Sequence, residues 1–231
     1  MIEKVLEYNQ KLNIVMVDFQ KAFDSIRWEA IWDALDKTSI NKAYIRIIKE
    51  TYKGSRAKIR TNVGTSDFIK IERSVKQGDK LACLLFCLVF AMVVLKTEEE
   101  NPESGFRIGG YLLSNLGYSD DTGILGTKED TLQKYLEDFQ RNSLEVGLKI
   151  NVEKTKLMPI SKIERSVNII AGSNTVEQKE RYEYLGFKLS TKGDQKEVVS
   201  HRISKGWASF KKYSHLLTFK YTNNHTKKKV Y

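Results

Sequence analysis

The sequence predicts an α+β fold, in which short strands and hairpins alternate with longer helices. Short apolar runs of strand length, such as residues 13–17, are bounded by polar residues. Longer stretches carry apolar side chains at helical spacing, at residues 28–52, 128–145 and 194–217. Residues 56–73 and 116–125 each resemble two short strands around a polar turn, which is typical of hairpins.

The composition is that of a folded protein with an anionic partner. The length of 231 residues is enough for one large domain or two small ones. The composition, 41% hydrophobic and 29% charged, is typical of a folded globular protein. The formal net charge is +10, and residues 196–231 contribute +8 of it, with nine Lys or Arg against one acid. Such a basic balance makes nucleic acid the first candidate for a partner.

The sequence shows no pattern typical of secretion or membrane insertion. Residues 1–4 lack the long apolar core of a signal peptide. The longest apolar run, residues 81–95, is shorter than the roughly 20 residues that span a bilayer. We therefore expect a buried helix there, no membrane partner, and an intracellular protein of the nucleus or cytoplasm that is not secreted. Cys83 and Cys87, without a nearby His, are expected to be small buried side chains in a reducing compartment.

The first part of the chain predicts helix, strand and two further helices. Residues 1–11 resemble the last turns of a helix, and residues 13–17 form a β-branched run typical of a buried strand. Asp18 ends that strand, where an unpaired carboxylate is costly to bury. It either caps the following helix or supplies a metal ligand. A break near residues 39–41 divides the helical pattern that follows.

The hairpin predicted for residues 56–73 is basic. Its cations either belong to a solvated face or contact backbone phosphates, and they are Arg56, Lys58, Arg60, Lys70 and Arg73. Gln77 and Gly78 follow, just before the long apolar helix. Gly78 permits close backbone approach, and Gln77 offers an amide donor and acceptor.

Asp120 and Asp121 lie at the turn of the hairpin predicted for residues 116–125. At a turn both carboxylates can reach one side, where they can bind a hard divalent metal such as Mg²⁺. Asp at a turn also commonly accepts hydrogen bonds from its own backbone. The pair alone leaves both interpretations open.

The rest of the chain continues the alternation. Residues 128–145 predict a helix followed by Gly147, a favourable C-cap residue. Strands are predicted at residues 148–152 and 182–189, and one more strand with a turn between 161 and 178. The helix predicted for residues 194–217 has an apolar and a neighbouring basic stripe, formed by Val199, Ile203, Trp207, Phe210 and Leu217, and by Arg202, Lys205, Ser209 and Lys212.

The order of these features resembles the reverse transcriptases of non-LTR (LINE-like) retrotransposons. Tyr118-Ser119-Asp120-Asp121 matches the family's Tyr-x-Asp-Asp motif. Four further motifs are similar and occur in the family's order, at residues 18–26, 75–79 with 84–86, 147–151 with 154–155, and 184–186. Five motifs in order are far more specific than any one alone.

The resemblance implies a right-hand polymerase whose palm is an antiparallel sheet with packed helices. Residues 1–190 would form the palm with partial fingers, and residues 191–231 a basic helical segment that starts the thumb. The implied function is that of an RNA-directed DNA polymerase with an RNA template and a DNA primer. Two Mg²⁺ ions, with Mn²⁺ as an alternative, would support transfer from a dNTP to the primer 3′ end.

The resemblance also implies roles for individual residues. Asp18, Asp120 and Asp121 would be the catalytic residues and metal ligands. Phe23 is either a gate against a 2′-hydroxyl or a core aromatic, and Lys154 either approaches the triphosphate or is solvated. The other nucleotide contacts would be Ala22, Gln77, Gly78 and Tyr118. Primer and template would contact Tyr184, Leu185 and Gly186 of the primer grip, and Arg202, Lys205 and Lys212 of the basic helix.

Some positions depart from the family's pattern. Lys80, Ala82 and Cys83 stand where the second motif has two prolines and a serine, which is expected to loosen the start of that helix. The family's fingers lie upstream of the first motif, so we expect an N-terminally truncated domain. The alternatives are a catalytically inactive nucleic-acid-binding remnant and a palm polymerase or maturase of other chemistry. The oligomeric state is left open.

Overall fold

In a computed structural model, residues 1–76, 78–193 and 195–219 are described. Their helices are α1 (Ile2–Glu7), α2 (Ala22–Ser25), α3 (Trp28–Asp36), α4 (Lys42–Tyr52), α5 (Lys80–Glu100), α6 (Glu129–Glu145) and α7 (Gln195–Thr218). Their strands are β1 (Leu12–Val17), β2 (Arg56–Ala57), β3 (Arg60–Thr61), β4 (Gly64–Thr65), β5 (Ile69–Lys70), β6 (Phe106–Ile108), β7 (Tyr111–Leu113), β8 (Asn115–Tyr118), β9 (Asp121–Gly126), β10 (Lys156–Ile160), β11 (Ile170–Ala171), β12 (Asn174–Thr175), β13 (Glu177–Gln178), β14 (Arg181–Tyr184) and β15 (Phe187–Ser190). The mixture of helices and strands confirms the predicted α+β class.

Five strands form the main sheet, in the order β13-β10-β1-β9-β8. The central strand β1 is antiparallel to β10 on one side and to β9 on the other. Every residue of β1 is buried, as its apolar, β-branched run predicted. β8 and β9 form the hairpin predicted for residues 116–125. Because β1 and β9 run in opposite directions, the end of β1 lies beside the start of β9.

The two faces of β1 belong to two hydrophobic clusters, because successive strand residues point to opposite sides. Val15 and Val17 pack in the larger cluster with side chains of α3, α5 and α6. Ile14 and Met16 pack in the smaller cluster with side chains of α1, β6, β14 and β15. The helices α3, α5 and α6 therefore support one face of the sheet, while α1 and the β14–β15 hairpin lie over the other.

The long apolar helix α5 buries one face only. Its buried side chains recur every three or four positions and are Ala82, Leu85, Phe86, Val89, Phe90, Val93 and Thr97. Cys83 and Cys87 are exposed, so the expectation of buried cysteines was wrong. The period of 3.6 residues places them about a third of a turn from the buried stripe. By length and composition alone α5 could cross a membrane, a property that many core helices share.

The start of α5 is capped, although the family's serine is missing. Asp79 Oδ1 accepts a hydrogen bond from the Leu81 backbone N–H at 3.0 Å, and the helix begins at Lys80. Asp is among the most favourable N-cap residues. This cap offsets the loosening that was expected for the start of the helix.

A polar network joins the end of α5 to α6. The Asn142 amide donates to Glu100 at 2.9 Å, and the Asn101 amide donates to Asp138 at 2.9 Å. Arg141 forms ion pairs with both Asp138 and Glu100. Burial alone would raise the pKa of Asp138, but hydrogen bonds from Asn101 and Arg141 outweigh burial, so its pKa is lowered.

The helix α7 confirms the helical prediction near the end of the chain. Its predicted apolar stripe is largely uncovered, with Val199, Ile203 and Trp207 between 54% and 61% exposed. The predicted first residue, Asp194, and residues 220–231 lie outside the described part of the chain.

Candidate active site

The strand register brings the predicted carboxylates to one end of the sheet. Val17, the last residue of β1, pairs with Thr122 of β9. Asp18 therefore lies opposite Asp121, the first residue of β9, and Asp120 immediately precedes it. The charges of Asp120 and Asp18 both act on the Asp121 carboxyl. Residues more than 100 positions apart in the sequence thus form one acidic cluster.

The two-residue turn of the β8–β9 hairpin presents this cluster. Tyr118 pairs with Asp121, which leaves Ser119 and Asp120 at the turn. Ser119 has a φ of 60°, in the left-handed region that favours glycine. The side chains of Asp120 and Asp121 accept no hydrogen bond from any residue that the structure describes. The pair therefore does not stabilise the turn by accepting hydrogen bonds from its backbone.

Asp18 does not cap the helix that follows it. The helix α2 begins at Ala22, its N-cap residue is Lys21, and no side chain caps it. The interpretation of Asp18 as a helix cap was therefore wrong, because three residues separate it from the first helical residue. Its carboxylate is left for another partner.

The backbone of Asp18 is held by a distant turn. The Asn151 N–H donates to the Asp18 carbonyl oxygen at 2.8 Å, and the Asp18 N–H donates to Thr155 Oγ1 at 3.4 Å. The buried Thr155 hydroxyl in turn donates to the Asn151 carbonyl oxygen at 2.8 Å. Residues 148–152, predicted as a strand, form only one bridge, between Ile150 and Phe19, and the bond from Asn151 to Asp18 is part of it. The pairing stops there because the Asn151 carbonyl oxygen accepts the Thr155 N–H at 2.9 Å, which begins a turn.

Gly147 lets this segment approach the end of α2 closely. Its φ is 93°, and its N–H donates to the Leu144 carbonyl oxygen at 3.0 Å. The Leu148 N–H donates to the Ser143 carbonyl oxygen at 2.9 Å, which completes the predicted glycine C-cap of α6. A Cβ atom at Gly147 would lie 2.5 Å from the Ser25 carbonyl oxygen. Only glycine fits both the conformation and the space.

The β14–β15 hairpin contacts the acidic cluster from the other face of the sheet. The Tyr184 hydroxyl donates to the Asp121 carbonyl oxygen at 3.4 Å. Burial raises the pKa of Tyr184, and the charge of Asp121 raises it further. The strand predicted for residues 182–189 is instead this hairpin, because Leu185 and Gly186 have φ values of 49° and 78° and reverse the chain.

Sequence reasoning did not assign Tyr182 and Thr155 to the site. Tyr182 packs with Tyr184 against the cluster that contains Ile14 and Met16 of β1. Burial raises the pKa of Tyr182, and the charges of Asp121 and Asp18 raise it further. The two-residue period of a strand, which puts Tyr182 on the same side as Tyr184, could have revealed it. Thr155 belongs to a recognised motif, but its buried hydroxyl acts on the backbone of Asp18.

The acidic cluster carries uncompensated negative charge. Burial raises the pKa of Asp121, and the neighbouring charges of Asp120 and Asp18 raise it further. Asp18 Oδ2 is buried and accepts no hydrogen bond. The only described cation within 4.0 Å of it is Lys154 Nζ, at 3.7 Å on a side chain that is 71% exposed. An ion pair this exposed to solvent does little to stabilise the negative charge of the cluster, so the cluster favours binding of a further cation.

The three carboxylates have the chemistry that a divalent metal requires, but their side chains are not arranged as a metal site. Carboxylate oxygens are the ligands that Mg²⁺ prefers, and Asp18, Asp120 and Asp121 would supply them. Among the described residues, no three Asp, Glu, His or Cys side chains are arranged closely enough to hold a metal ion. A bound cation would remove the mutual repulsion of the three carboxylates.

Phe23 is held in place by aromatic stacking. It is half-buried in α2, and its ring stacks on Phe86 of α5 with centroids 4.5 Å apart. Its backbone carbonyl oxygen accepts the Val75 N–H at 2.9 Å. Ala22 is buried beside it, with 4% of its surface exposed. The Phe23 ring therefore packs against the core on one side and remains accessible to a ligand on the other.

The other predicted nucleotide contacts are exposed or lie outside the description. Gly78 has a φ of 89°, and nothing lies within 4 Å of the position that a Cβ would take. Tyr118 is 67% exposed beside the acidic cluster. Gln77 lies outside the described residues. The Lys154 ammonium lies 3.7 Å from Asp18 Oδ2.

The predicted basic contacts on α7 already have partners in the chain. The Arg202 guanidinium lies 4.7 Å from the centroid of the Phe187 ring, and Lys205 forms an ion pair with Glu183 at 2.5 Å. Both partners belong to the β14–β15 hairpin. Lys212 lies over the ring of the next residue, at 5.2 Å. The helix is thus tied to the hairpin that contacts the acidic cluster.

Comparison with known proteins places this arrangement in a family. The model of the reverse transcriptase (RNA-dependent DNA polymerase) family matches residues 2–189. The chain is 26% identical over 193 residues to the retrovirus-related Pol polyprotein from type-1 retrotransposable element R2 of Nasonia vitripennis, covering 79% of this chain and 18% of that protein. It is 26% identical over 206 residues to the corresponding polyprotein of the type-2 element R2DM of Drosophila melanogaster, covering 83% of this chain and 19% of that protein. The chain therefore spans about a fifth of the length of these relatives.

Solved structures show the same fold at low sequence identity. Apo telomerase from Candida tropicalis matches with a TM-score of 0.57 and 17% identity, over 82% of this chain and 36% of that one. Telomerase from Candida albicans, in complex with a fragment of telomeric RNA, matches with a TM-score of 0.57 and 12% identity, over 82% of this chain and 31% of that one. These matches confirm the polymerase fold predicted from the motifs. The predicted likeness to retrotransposon enzymes is confirmed as well, and this chain belongs to the reverse transcriptase family.

Proposed function

We propose that this chain is the polymerase core of an RNA-directed DNA polymerase, which extends a DNA primer along an RNA template. The observation that carries the proposal is the meeting of Asp18 with Asp120 and Asp121, with one buried Asp18 oxygen that accepts no hydrogen bond. Family membership supports the same activity. Because the chain spans about a fifth of its curated relatives, the activity is proposed for this chain and needs its own test.

The acidic cluster would hold the metal ions. Asp18, Asp120 and Asp121 would bind two Mg²⁺ ions, with Mn²⁺ as an alternative. When bound, such ions activate the primer 3′ hydroxyl and neutralise the charge of the departing pyrophosphate. Phosphoryl transfer needs no protein nucleophile, so the task of the chain is positioning. The turn at residues 151–155 holds Asp18, and Tyr184 supports the backbone of Asp121.

The nucleotide would lie between Phe23 and the acidic cluster. The Phe23 ring, held by Phe86, would leave no room for a 2′-hydroxyl and so select deoxynucleotides. The exposed ammonium of Lys154 would neutralise triphosphate charge beside Asp18. The remaining nucleotide contacts that we propose are Ala22, Gln77, Gly78 and Tyr118.

Primer and template would lie along the β14–β15 hairpin and α7. Residues 1–190 would form the palm with partial fingers, and residues 191–231 would start the thumb, in a protein that works in the nucleus or cytoplasm. Arg202 and Lys205 connect α7 to the hairpin, so a movement of the thumb would also move the primer contacts. Those contacts would be Tyr184, Leu185, Gly186, Arg202, Lys205 and Lys212.

Primer extension tests the proposal. The full chain is incubated with poly(rA)–oligo(dT), dTTP and Mg²⁺, beside Asp120→Asn, which keeps the size of the side chain and removes its charge. Extension by the parent chain is expected, with at least about a 100-fold loss in the variant, because a metal ligand is removed. Glu103→Gln, an exposed acid in the loop after α5, is the matched control and should extend normally.

Two results would contradict the proposal. Equal extension by Asp120→Asn and the parent would remove the acidic cluster from the mechanism. No extension by the parent, with template–primer still bound in low salt, would favour a catalytically inactive nucleic-acid-binding remnant. Binding is measured by fluorescence anisotropy in the same buffer.

A further inference from the structure

A second surface with the chemistry of nucleic-acid binding lies outside the basic helix α7. Residues 55–71, which we call the ribbon, form two short antiparallel ladders, β2 with β5 and β3 with β4. All eight residues of these strands are exposed. The ribbon therefore contributes no strand residue to the core, and its two faces are open to a partner.

The register sorts the ribbon's side chains into two unlike faces. Arg56 pairs with Lys70, and Ala57 pairs with Ile69. Cross-strand partners share a face, and successive residues alternate. Arg56 and Lys70 therefore share one side, which we call the cationic face. The same alternation puts Lys58 and Phe68, two positions further along each segment, on that side. Ala57 and Ile69 lie on the other side.

Ring contacts support this assignment independently. The Phe68 ring has Lys58 Nζ at 4.2 Å and the Arg56 guanidinium carbon at 5.9 Å from its centroid. Phe68 is nevertheless 62% exposed, so much of its ring remains open. An open aromatic ring flanked by cations is the arrangement on which single-stranded nucleic acids stack.

The cationic face carries charge that the chain does not compensate. Like charges directly opposite each other on a sheet are unfavourable, and Arg56 faces Lys70. Lys70 forms an ion pair with Glu72 at 2.5 Å, with both side chains well exposed. Among the described residues, no acid lies within 4.0 Å of Arg56 or Lys58. An anionic ligand would relieve this repulsion.

The base of the ribbon is joined to the candidate active site. The Ser74 N–H donates to the Ile26 carbonyl oxygen at 2.9 Å, and the Val75 N–H donates to the Phe23 carbonyl oxygen at 2.9 Å. The chain therefore leaves the ribbon and at once contacts the segment that carries Phe23. The base of the ribbon is thus tied to the segment of the proposed nucleotide position.

We propose that the cationic face binds single-stranded nucleic acid, with one base stacked on Phe68 and the adjoining phosphates on Arg56 and Lys58. Binding of this kind needs neither metal nor catalysis. The proposed function enters only in naming the strand, which would be the unpaired RNA template next to the active site. An acidic polypeptide would satisfy the cations but would leave the open ring without a stacking partner.

Anisotropy of a labelled 12-nucleotide oligo(rA) tests the proposal with the full chain, in EDTA and low salt. Phe68→Ala should weaken binding about 5- to 150-fold, the range found when a base loses its aromatic partner. Phe68→Tyr keeps the ring and should bind like the parent. The matched control is Val63→Ala, which trims an apolar side chain that is 97% exposed at the tip of the same ribbon.

The salt dependence tests the phosphate contacts separately. A double variant, Arg56→Gln with Lys58→Gln, should lower the slope of log affinity against log salt by about 1.4, because each phosphate contact on a single strand contributes about 0.7. Lys4→Gln with Lys11→Gln removes the same charge from exposed positions elsewhere and should leave more of the slope intact. Thermal unfolding of every variant verifies that the fold is kept.

Several results would overturn the proposal. Parent-like binding by Phe68→Ala would exclude stacking, and an unchanged salt slope in the Arg56 and Lys58 double variant would exclude the phosphate contacts. Poly-aspartate and unlabelled oligo(rA) are compared as competitors at equal charge. If poly-aspartate displaces the labelled oligonucleotide as effectively as oligo(rA) does, the surface is a site for an acidic polypeptide. Tighter binding of oligo(dA) than of oligo(rA) would support the surface but contradict an RNA template. If the parent chain does not extend a primer but still binds the oligonucleotide through Phe68, the proposed function is contradicted and the binding surface is not.

Discussion

Replacing Gly147 with alanine tests how closely the segment that holds Asp18 must approach the end of α2. An L-residue in the left-handed region costs about 1–2 kcal/mol, and the φ of Gly147 is 93°. The added Cβ would lie 2.5 Å from a backbone oxygen of Ser25, which no side-chain rotation can relieve. Forcing an atom into such a packed position costs about 1–3 kcal/mol. Together the substitution should lower the free energy of unfolding by roughly 2–5 kcal/mol.

Urea unfolding followed by circular dichroism measures this loss, with Gly54→Ala as the matched control. Gly54 has a φ of 70°, but nothing lies within 4 Å of its Cβ position, so its substitution carries only the conformational cost of about 1–2 kcal/mol. Gly147→Ala should therefore be the more destabilising change. If the two variants lose equal stability, the close approach to Ser25 does not matter and the reasoning is refuted.

Three further predictions concern the site and its supports. Ser119→Val should destabilise the protein by about 1–2 kcal/mol in thermal unfolding, because a β-branched residue is strained at the φ of 60°, whereas Ser119→Gly should not. Because folding lowers the pKa of Asp138, its carboxylate stabilises the protein above a pH of about 4 and loses that effect as the pH falls through the lowered value. Asp138→Asn should accordingly destabilise at pH 7 and flatten the acid side of the stability profile, measured by urea unfolding; an unchanged profile would contradict this. Phe23→Val should raise the use of rUTP relative to dTTP on the order of 10- to 100-fold in kcat/KM, and an unchanged ratio would exclude the gate.

Elements with a local signal could be predicted from the sequence. Hydrophobic periodicity predicts the strand β1 and the two helices on either side of residues 39–41. The backbone preference of glycine predicts the C-cap at Gly147. The meeting of Asp18 with Asp121 has no local signal, because it depends on the pairing of Val17 with Thr122. Only the order of five motifs indicated it.

Elements whose conformation depends on distant contacts could not be predicted. Residues 148–152 have a strand-like composition, but pairing stops after one bridge, because the Asn151 carbonyl oxygen accepts the Thr155 N–H and the chain turns there. Leu185 carries no turn signal of its own and takes a left-handed conformation beside Gly186. The apolar run of α5 did not show which side faces the sheet, and Cys83 lies on the exposed side.

The position of β1 also has a consequence for synthesis of the chain. Ile14 pairs with Leu125 and Met158, which follow it by 111 and 144 residues. At about 5–20 residues per second, a ribosome needs roughly 7–29 s to deliver both neighbours of this strand. During that time β1 has two unpaired edges and an apolar, β-branched sequence, the features of an aggregation-prone segment. Lys11 and Asp18 flank it with opposite charges and would act as gatekeepers, so the aspartate proposed for metal binding would also protect the nascent chain.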